Sequence, residues 1–545
     1  MDTFAIIMAM LVAVMLSGML VRVLPIPAPF VQISLGFVIA AVFERGVLIS
    51  PEIFFLLFLP PLLFLDGWRV SKQSVIRESS SILQLAIGLV FLTVIGVGYL
   101  IHWMIPAVPL AVAFAIAAIV SPTDPVAVEA ISRRVPIPKR MMAILEGESL
   151  FNDASGLVAF RFAVAAALTG TFSFYEATLT FFWMSLAGIG LGVGLTIVLM
   201  RVKSWFGRRF GIEPGSDVLL SLIVPFLVYY VAEHVEASGI LAAVAAGITM
   251  SYLEMSGRQS ASVRVERQAV WTMVQFILNG MMFVLLGEQL PTILEGLAEA
   301  TSESGDSHLY WLPVYGAVIC FGLMLIRFLW VIASLKLGEW WAKRRGKTVE
   351  KVSKRFILAI SVAGVRGAVT LAGVMTLPLV MPDGSAFPAR DLAISLATIV
   401  LLFSLLFASV SLPALLRGWH GSIGEKEREE RHTARSAMLR AALESVEKTS
   451  QRIAADHPED AELCASVASH VADRLGENSD HTEDEASAIA LARRRTIERE
   501  LRLEAVAASR QALYHLARRH RISDTFAREQ ILLLDLQETR ILAGD

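Results

Sequence analysis

Through residue 416 the chain alternates apolar runs with short polar breaks. Many runs reach the roughly 20 residues that a helix needs to cross a hydrocarbon core of about 30 Å. Clear cases are Ile82 to Ile101, Ala177 to Met200 and Trp311 to Ser334. The pattern predicts thirteen spans, near residues 4–20, 30–43, 52–66, 82–101, 108–131, 142–168, 177–200, 216–232, 238–254, 270–287, 311–336, 356–380 and 392–416. The breaks differ by side. One alternate set carries Arg22; Arg69, Lys72 and Arg77; Arg133, Arg134, Lys139 and Arg140; Arg201, Lys203, Arg208 and Arg209; Arg258, Arg264 and Arg267; and a cluster from Lys343 to Arg355. The other carries only Arg45 and Arg390. Basic loops stay in the cytoplasm, so the N-terminus is expected outside and everything after Arg417 inside.

Two spans are interrupted by residues that a continuous helix avoids: Ser121-Pro122-Thr123-Asp124-Pro125 in the fifth and Gly364-Val365-Arg366-Gly367 in the twelfth. Proline removes a backbone donor and glycine loosens the turn. Backbone left unpaired at membrane depth has to line a cavity or be buried in protein. The breaks lie seven spans apart, and this odd offset gives spans 1–6 and 8–13 opposite orientations, the pattern of an inverted repeat. Proline and glycine are also common in ordinary membrane helices. Against that plainer reading, each break here carries an ionisable residue.

Composition agrees with the pattern: 55% hydrophobic, 18% charged and a mean hydropathy of +0.61 over 545 residues is too apolar for a soluble protein. The expectation is an all-α polytopic membrane protein of the plasma (inner) membrane. Met1-Asp2-Thr3 lacks a basic n-region, so the first run reads as a retained span. Cys320 and Cys464 are the only cysteines, which excludes a disulfide framework or a cysteine zinc site. No phosphate loop, metal-spaced histidines or nucleic-acid module occurs, so no enzyme activity, cofactor or nucleic-acid partner is expected. From Gly421 the sequence turns charged and Ala-rich, with helical stretches near Glu425–Ala455, Ala486–Arg519 and Thr525–Leu542 and a loop near Gly476–Glu485. This tail reads equally as a regulator, a dimer aid or inert solvated helices.

The chemistry concentrates in the apolar stretch from Gly147 to Phe160. Glu148 and Asp153 are five apart, about 140° around a helix, so they cannot both face one ligand. If the fifth and sixth spans pack together, Thr123, Asp124, Asn152 and Asp153 gather at one point. Such an all-oxygen set suits a hard cation. Intramembrane carboxylates mark ion or proton pathways; the alternative for Asp153 is a structural ion pair or a protonated donor. Glu148 is expected to pair with Arg366, a structural role set against direct substrate binding. Arg161 and Arg327 are further intramembrane cations without an assignable partner. Asp66 stands at a span end, either lining a funnel or solvated, and Ser149 and Arg327 are accessory candidates.

Pro60-Pro61 with Asp66, Ser121-Pro122-Thr123-Asp124-Pro125-Val126-Ala127, Gly147-Glu148-Ser149-Leu150-Phe151-Asn152-Asp153 and Gly364-Val365-Arg366-Gly367-Ala368 together resemble the first family of monovalent cation/proton antiporters, the sodium/proton exchangers of the NhaP and NHE kind. The resemblance covers spans 3 to 12 and looks closest to the bacterial branch. It implies that Asp153 binds the cation or the proton, that Thr123 and Asp124 help to hold sodium on an unwound helix, and that Glu148 pairs with Arg366. It also implies an exchanger domain over 1–417 with a cytoplasmic tail over 418–545, a homodimer in lipid, and a part in pH homeostasis. Family branches with Asp-Asp are electrogenic and those with Asn-Asp electroneutral, so Asn152 implies one cation per proton. Desolvation favours the protonated form of a buried carboxyl group and a bound cation the ionised form, so the two ions compete. A potassium/proton antiporter, a cation channel and, further off, an intramembrane hydrolase using Asp124 and Asp153 are the alternatives.

Overall fold

The computed structural model describes residues 2–24, 26–43, 51–70, 72–125, 128–129, 137–171, 173–210, 214–254, 261–295, 311–344, 353–417, 425–456, 458, 461–477 and scattered positions between 502 and 542. Among these residues the regular secondary structure is helical, apart from one isolated bridge between Val380 and Ala386. The chain divides into two compact units, Met1–Trp419 and His420–Asp545.

In the first unit the helices are α1 (Asp2–Val23), α2 (Ala28–Phe43), α3 (Pro51–Arg69), α4 (Lys72–Leu83), α5 (Val90–Met104), α6 (Leu110–Val120), α7 (Lys139–Thr169), α8 (Phe174–Phe210), α9 (Pro214–His234), α10 (Gly239–Glu254), α11 (Ala261–Glu295), α12 (Trp311–Arg344), α13 (Lys354–Val362), α14 (Ala368–Met375) and α15 (Arg390–Leu416). A π-helical turn, Gln84–Leu89, joins α4 to α5. There the Trp330 indole donates to the Gln84 carbonyl at 3.0 Å, and Gly88 leaves room for its ring.

Eight helices among the described residues are long and apolar enough to cross a membrane, which makes this a multi-pass membrane protein. That is short of the thirteen spans expected. The difference lies where the sequence limits helix length: α2, α6 and α10 are shorter apolar helices, α3 holds Pro60 and Pro61, and α13 and α14 are half-length pieces flanking a break.

The buried side chains form three clusters. The largest unites α5, α6, α7, α12, α13, α14 and α15. The others gather α3, α9 and α10, and α1, α2 and α11 with α3. In the last group α2 and α11 meet backbone to backbone: a Cβ on Gly36 would stand 2.0 Å from the Val284 carbonyl oxygen, and one on Gly287 1.9 Å from that of Ile33. Small residues allow such approach where hydrophobic burial gives little drive between helices. Large apolar side chains such as Phe4, Trp103, Leu186, Phe321 and Val410 face outward, as a lipid environment permits.

In the second unit, α16 (Glu425–Asp456) covers the first helical stretch expected in the tail. Helix α17 (Ala461–Glu477) was not expected, although Leu463, Val467, Val471 and Leu475 have its four-residue spacing. It takes in Gly476, at the start of the expected loop; residues 478–485 and most of the two later stretches lie outside the described residues.

Candidate cation site at two crossed breaks

Helix α6 stops at Val120, and Ser121 to Asp124 are non-helical around Pro122, as the sequence dictates. Gly364 to Gly367 are likewise non-helical between α13 and α14. The two breaks meet. The Asp124 amide donates to the Val365 carbonyl at 2.8 Å. The Arg366 guanidinium donates to the carbonyls of Ser121 and, at 2.9 Å, Pro122, while its own amide donates to Ser404 Oγ at 3.1 Å. A Cβ on Gly367 would stand 2.5 Å from that of Asp124, so only glycine lets this aspartate lie against the start of α14. A carboxylate is electrostatically favoured beside a helix N-terminus.

The expected Glu148–Arg366 pair is not formed. Arg327 of α12 takes Glu148 instead, with Nη1 2.5 Å from Oε1 and Nη2 2.6 Å from Oε2, and its Nε donates to the Ile360 carbonyl at 3.0 Å. The reason is the unwound end of α6, which exposes carbonyls that no amide reaches. Arg366 is spent on them, and Arg327 supplies the two-point partner that a buried carboxylate requires. Arg327 is thus the partner of Glu148, where the sequence offered it as an accessory to the site. Arg161 also finds a partner, with Nη2 3.2 Å from Glu233 Oε2.

From this pair a chain of hydrogen bonds runs to the break. Thr123 Oγ1 donates to Glu148 Oε1 at 3.1 Å and accepts from Asn152 Nδ2 at 2.9 Å. Asn152 is fully buried and stands outside the cavity lining, so it supports Thr123 where the sequence suggested a cation contact.

A cavity of about 50 Å³ opens beside the breaks. Asp66, Thr123, Asp124, Ser149 and Asp153 line it together with apolar side chains such as Leu62 and Phe283. Asp66 is therefore a half-buried cavity residue and not a solvated helix end. Asp153 is 8% exposed, and among the described residues no group hydrogen-bonds its carboxylate. Among the described residues no three acidic, histidine or cysteine side chains converge closely enough to hold a metal ion, so the three aspartates do not form a chelating cluster. The sequence reading missed two lining residues, Asn279 of α11 and Thr370 of α14. Asn279 could have been found as an amide within an apolar span, whereas Thr370 carried no such signal.

Residues 7–418 match the family of transmembrane sodium/hydrogen exchangers. The chain is similar to an uncharacterized Na(+)/H(+) exchanger of Escherichia coli, YjcE, with 39% identity over 99% of both chains. It is 41% identical to a sodium, potassium, lithium and rubidium/H(+) antiporter of Bacillus subtilis, over 82% of this chain and 66% of that one. Among solved structures, the sodium proton antiporter MjNhaP1 of Methanocaldococcus jannaschii shares the fold, with a TM-score of 0.58 over 77% of this chain and all of the other at 16% identity. The crossed breaks, the carboxylates beside them and these likenesses converge, and the chain belongs to the transmembrane sodium/hydrogen exchanger family.

Proposed function

We propose that the chain exchanges a monovalent cation, sodium first among the candidates, for a proton across the plasma membrane, and that Asp153 carries one or the other. The observation behind this reading is a carboxylate 8% exposed at a cavity, with no donor among the described residues to stabilise its charge. A buried charge without a partner is costly. A proton or a cation removes that cost, and each excludes the other, so coupling is competition. The cation's further oxygen contacts come from Asp124 and from Thr123, whose hydroxyl keeps one lone pair after its two hydrogen bonds. Asp66 and Ser149 line the approach. Alternating exposure moves the bundle holding the breaks against the helices around α3 and α11.

The same reading takes the N-terminus as external, the first 417 residues as the exchanger and the tail as cytoplasmic, with a homodimer as the working assembly and no cofactor. Potassium stays open as the exchanged ion, since all the contacts are oxygens and the Bacillus relative is named for four cations. The test is purified protein in liposomes with a pH-sensitive dye inside. An imposed sodium gradient should move protons the opposite way. Cation flux without counter-movement of protons would indicate a channel and overturn the reading.

A further inference from the structure

We infer that Thr370, on the second broken helix, is a ligand of the transported cation and sets the affinity for it. This rests on the exchange reading above and extends it to a residue outside the motifs that carry the family resemblance.

A hydroxyl inside an apolar helix ordinarily donates back to the carbonyl four residues earlier. This chain follows that habit at Thr249 to Ala245, Thr272 to Gln268, Thr398 to Ile394 and Ser361 to Ile357. Thr370 breaks it. It is the third residue of α14, so its fourth predecessor is Arg366, which lies in the non-helical break. The carbonyl three residues back, that of Gly367, takes the Thr370 amide at 3.1 Å, and the hydroxyl bonds neither. Thr370 is 2% exposed, its hydroxyl has no hydrogen-bond partner among the described residues, and it lines the same cavity as Asp153 and Asp124.

A buried hydroxyl without a partner is destabilising, and here its free lone pairs are available beside two carboxylates. A cation in the cavity would use one. Thr370 also complements Thr123: one hydroxyl comes from each broken helix, so the ion is held from both. A neutral oxygen adds affinity without adding charge. A small hard cation gains most from it, so losing the hydroxyl should weaken sodium and lithium more than potassium or rubidium.

The experiment compares wild type, Thr370→Val, Thr370→Ala, Thr370→Ser and Asp153→Asn in proteoliposomes, and the sodium-induced rise in melting temperature in detergent. Valine and alanine should each raise the sodium concentration for half-maximal exchange about tenfold, the size of one hydrogen bond to a charged group. The maximal rate should stay near wild type, and the sodium-induced thermal shift should need about tenfold more sodium. Serine should behave as wild type. Unchanged half-saturation in both hydroxyl deletions, or a fall in maximal rate alone, would overturn the assignment of Thr370 while leaving the exchange reading intact. No exchange by wild type, or normal exchange by Asp153→Asn, would overturn the exchange reading itself.

Discussion

Glu148 and Arg327 form a two-point ion pair, 179 residues apart in sequence and with both side chains at most 3% exposed. It joins α7, which carries Asp153, to α12, and through Thr123 it also fixes the first break.

Breaking this pair from one side leaves an uncompensated charge. Glu148→Gln or Arg327→Met alone is expected to cost roughly 3 to 5 kcal/mol of stability, with the double variant costing less than the two losses combined. Thermal melts in detergent measure the cycle. The same cycle run on Glu148 and Arg366 should come out nearly additive, because Arg366 spends its guanidinium on backbone carbonyls.

Asp153→Asn removes the carboxylate proposed to bind both ions and keeps its shape. The variant should insert and melt as wild type does, with sodium-driven proton movement reduced to the level of empty liposomes. In wild type, the proposed competition for the one carboxylate sets the sign of the expected pH effect. Lowering the pH should raise the sodium concentration for half-maximal exchange, by up to about tenfold per unit where protons occupy the site.

Gly367→Ala would drive a methyl group into the Asp124 side chain, whereas a Cβ on Gly190 meets nothing within 4 Å. The first substitution should cut exchange at least about tenfold, the loss expected when a site residue shifts by an ångström or less. Gly190→Ala should leave rate and affinity unchanged. Equal activity of the two variants would mean that Asp124 does not need its place against α14.

Exchange is expected to be electroneutral, because Asn152 is a neutral amide hydrogen-bonded to Thr123, where the electrogenic branch of the family has a second acid. A valinomycin-set potassium potential should then neither speed nor slow sodium-driven proton movement, nor shift the sodium gradient at which flux stops. A voltage-dependent reversal point would assign a second proton to another carboxylate, Asp124 first.

The sequence exposed what apolar length and helix breakers control. Pro122 and Pro125, and Gly364 and Gly367, located both breaks, and the intramembrane carboxylates stood out against their surroundings. It did not reveal which buried cation meets which anion. Arg327 and Arg366 look alike as lone arginines in apolar spans, and their partners depend on which backbone carbonyls the unwound α6 leaves open. Thr370 stayed hidden because threonine is unremarkable in a membrane helix. Its oddity appears only once its hydroxyl is seen to bond neither carbonyl of the preceding turn.

Three hydrogen bonds tie the breaks together: Asp124 to Val365, and Arg366 to Ser121 and Pro122. Thr123 and Asp124 therefore cannot move toward one face of the membrane and leave Arg366 and Thr370 behind without severing them. An ion held here would travel as freight, lifted with its whole set of oxygens, and would not be handed from one ligand to the next. The distance it covers is set by how far the bundle slides, and the number of ions per trip by how many fit between two knotted loops.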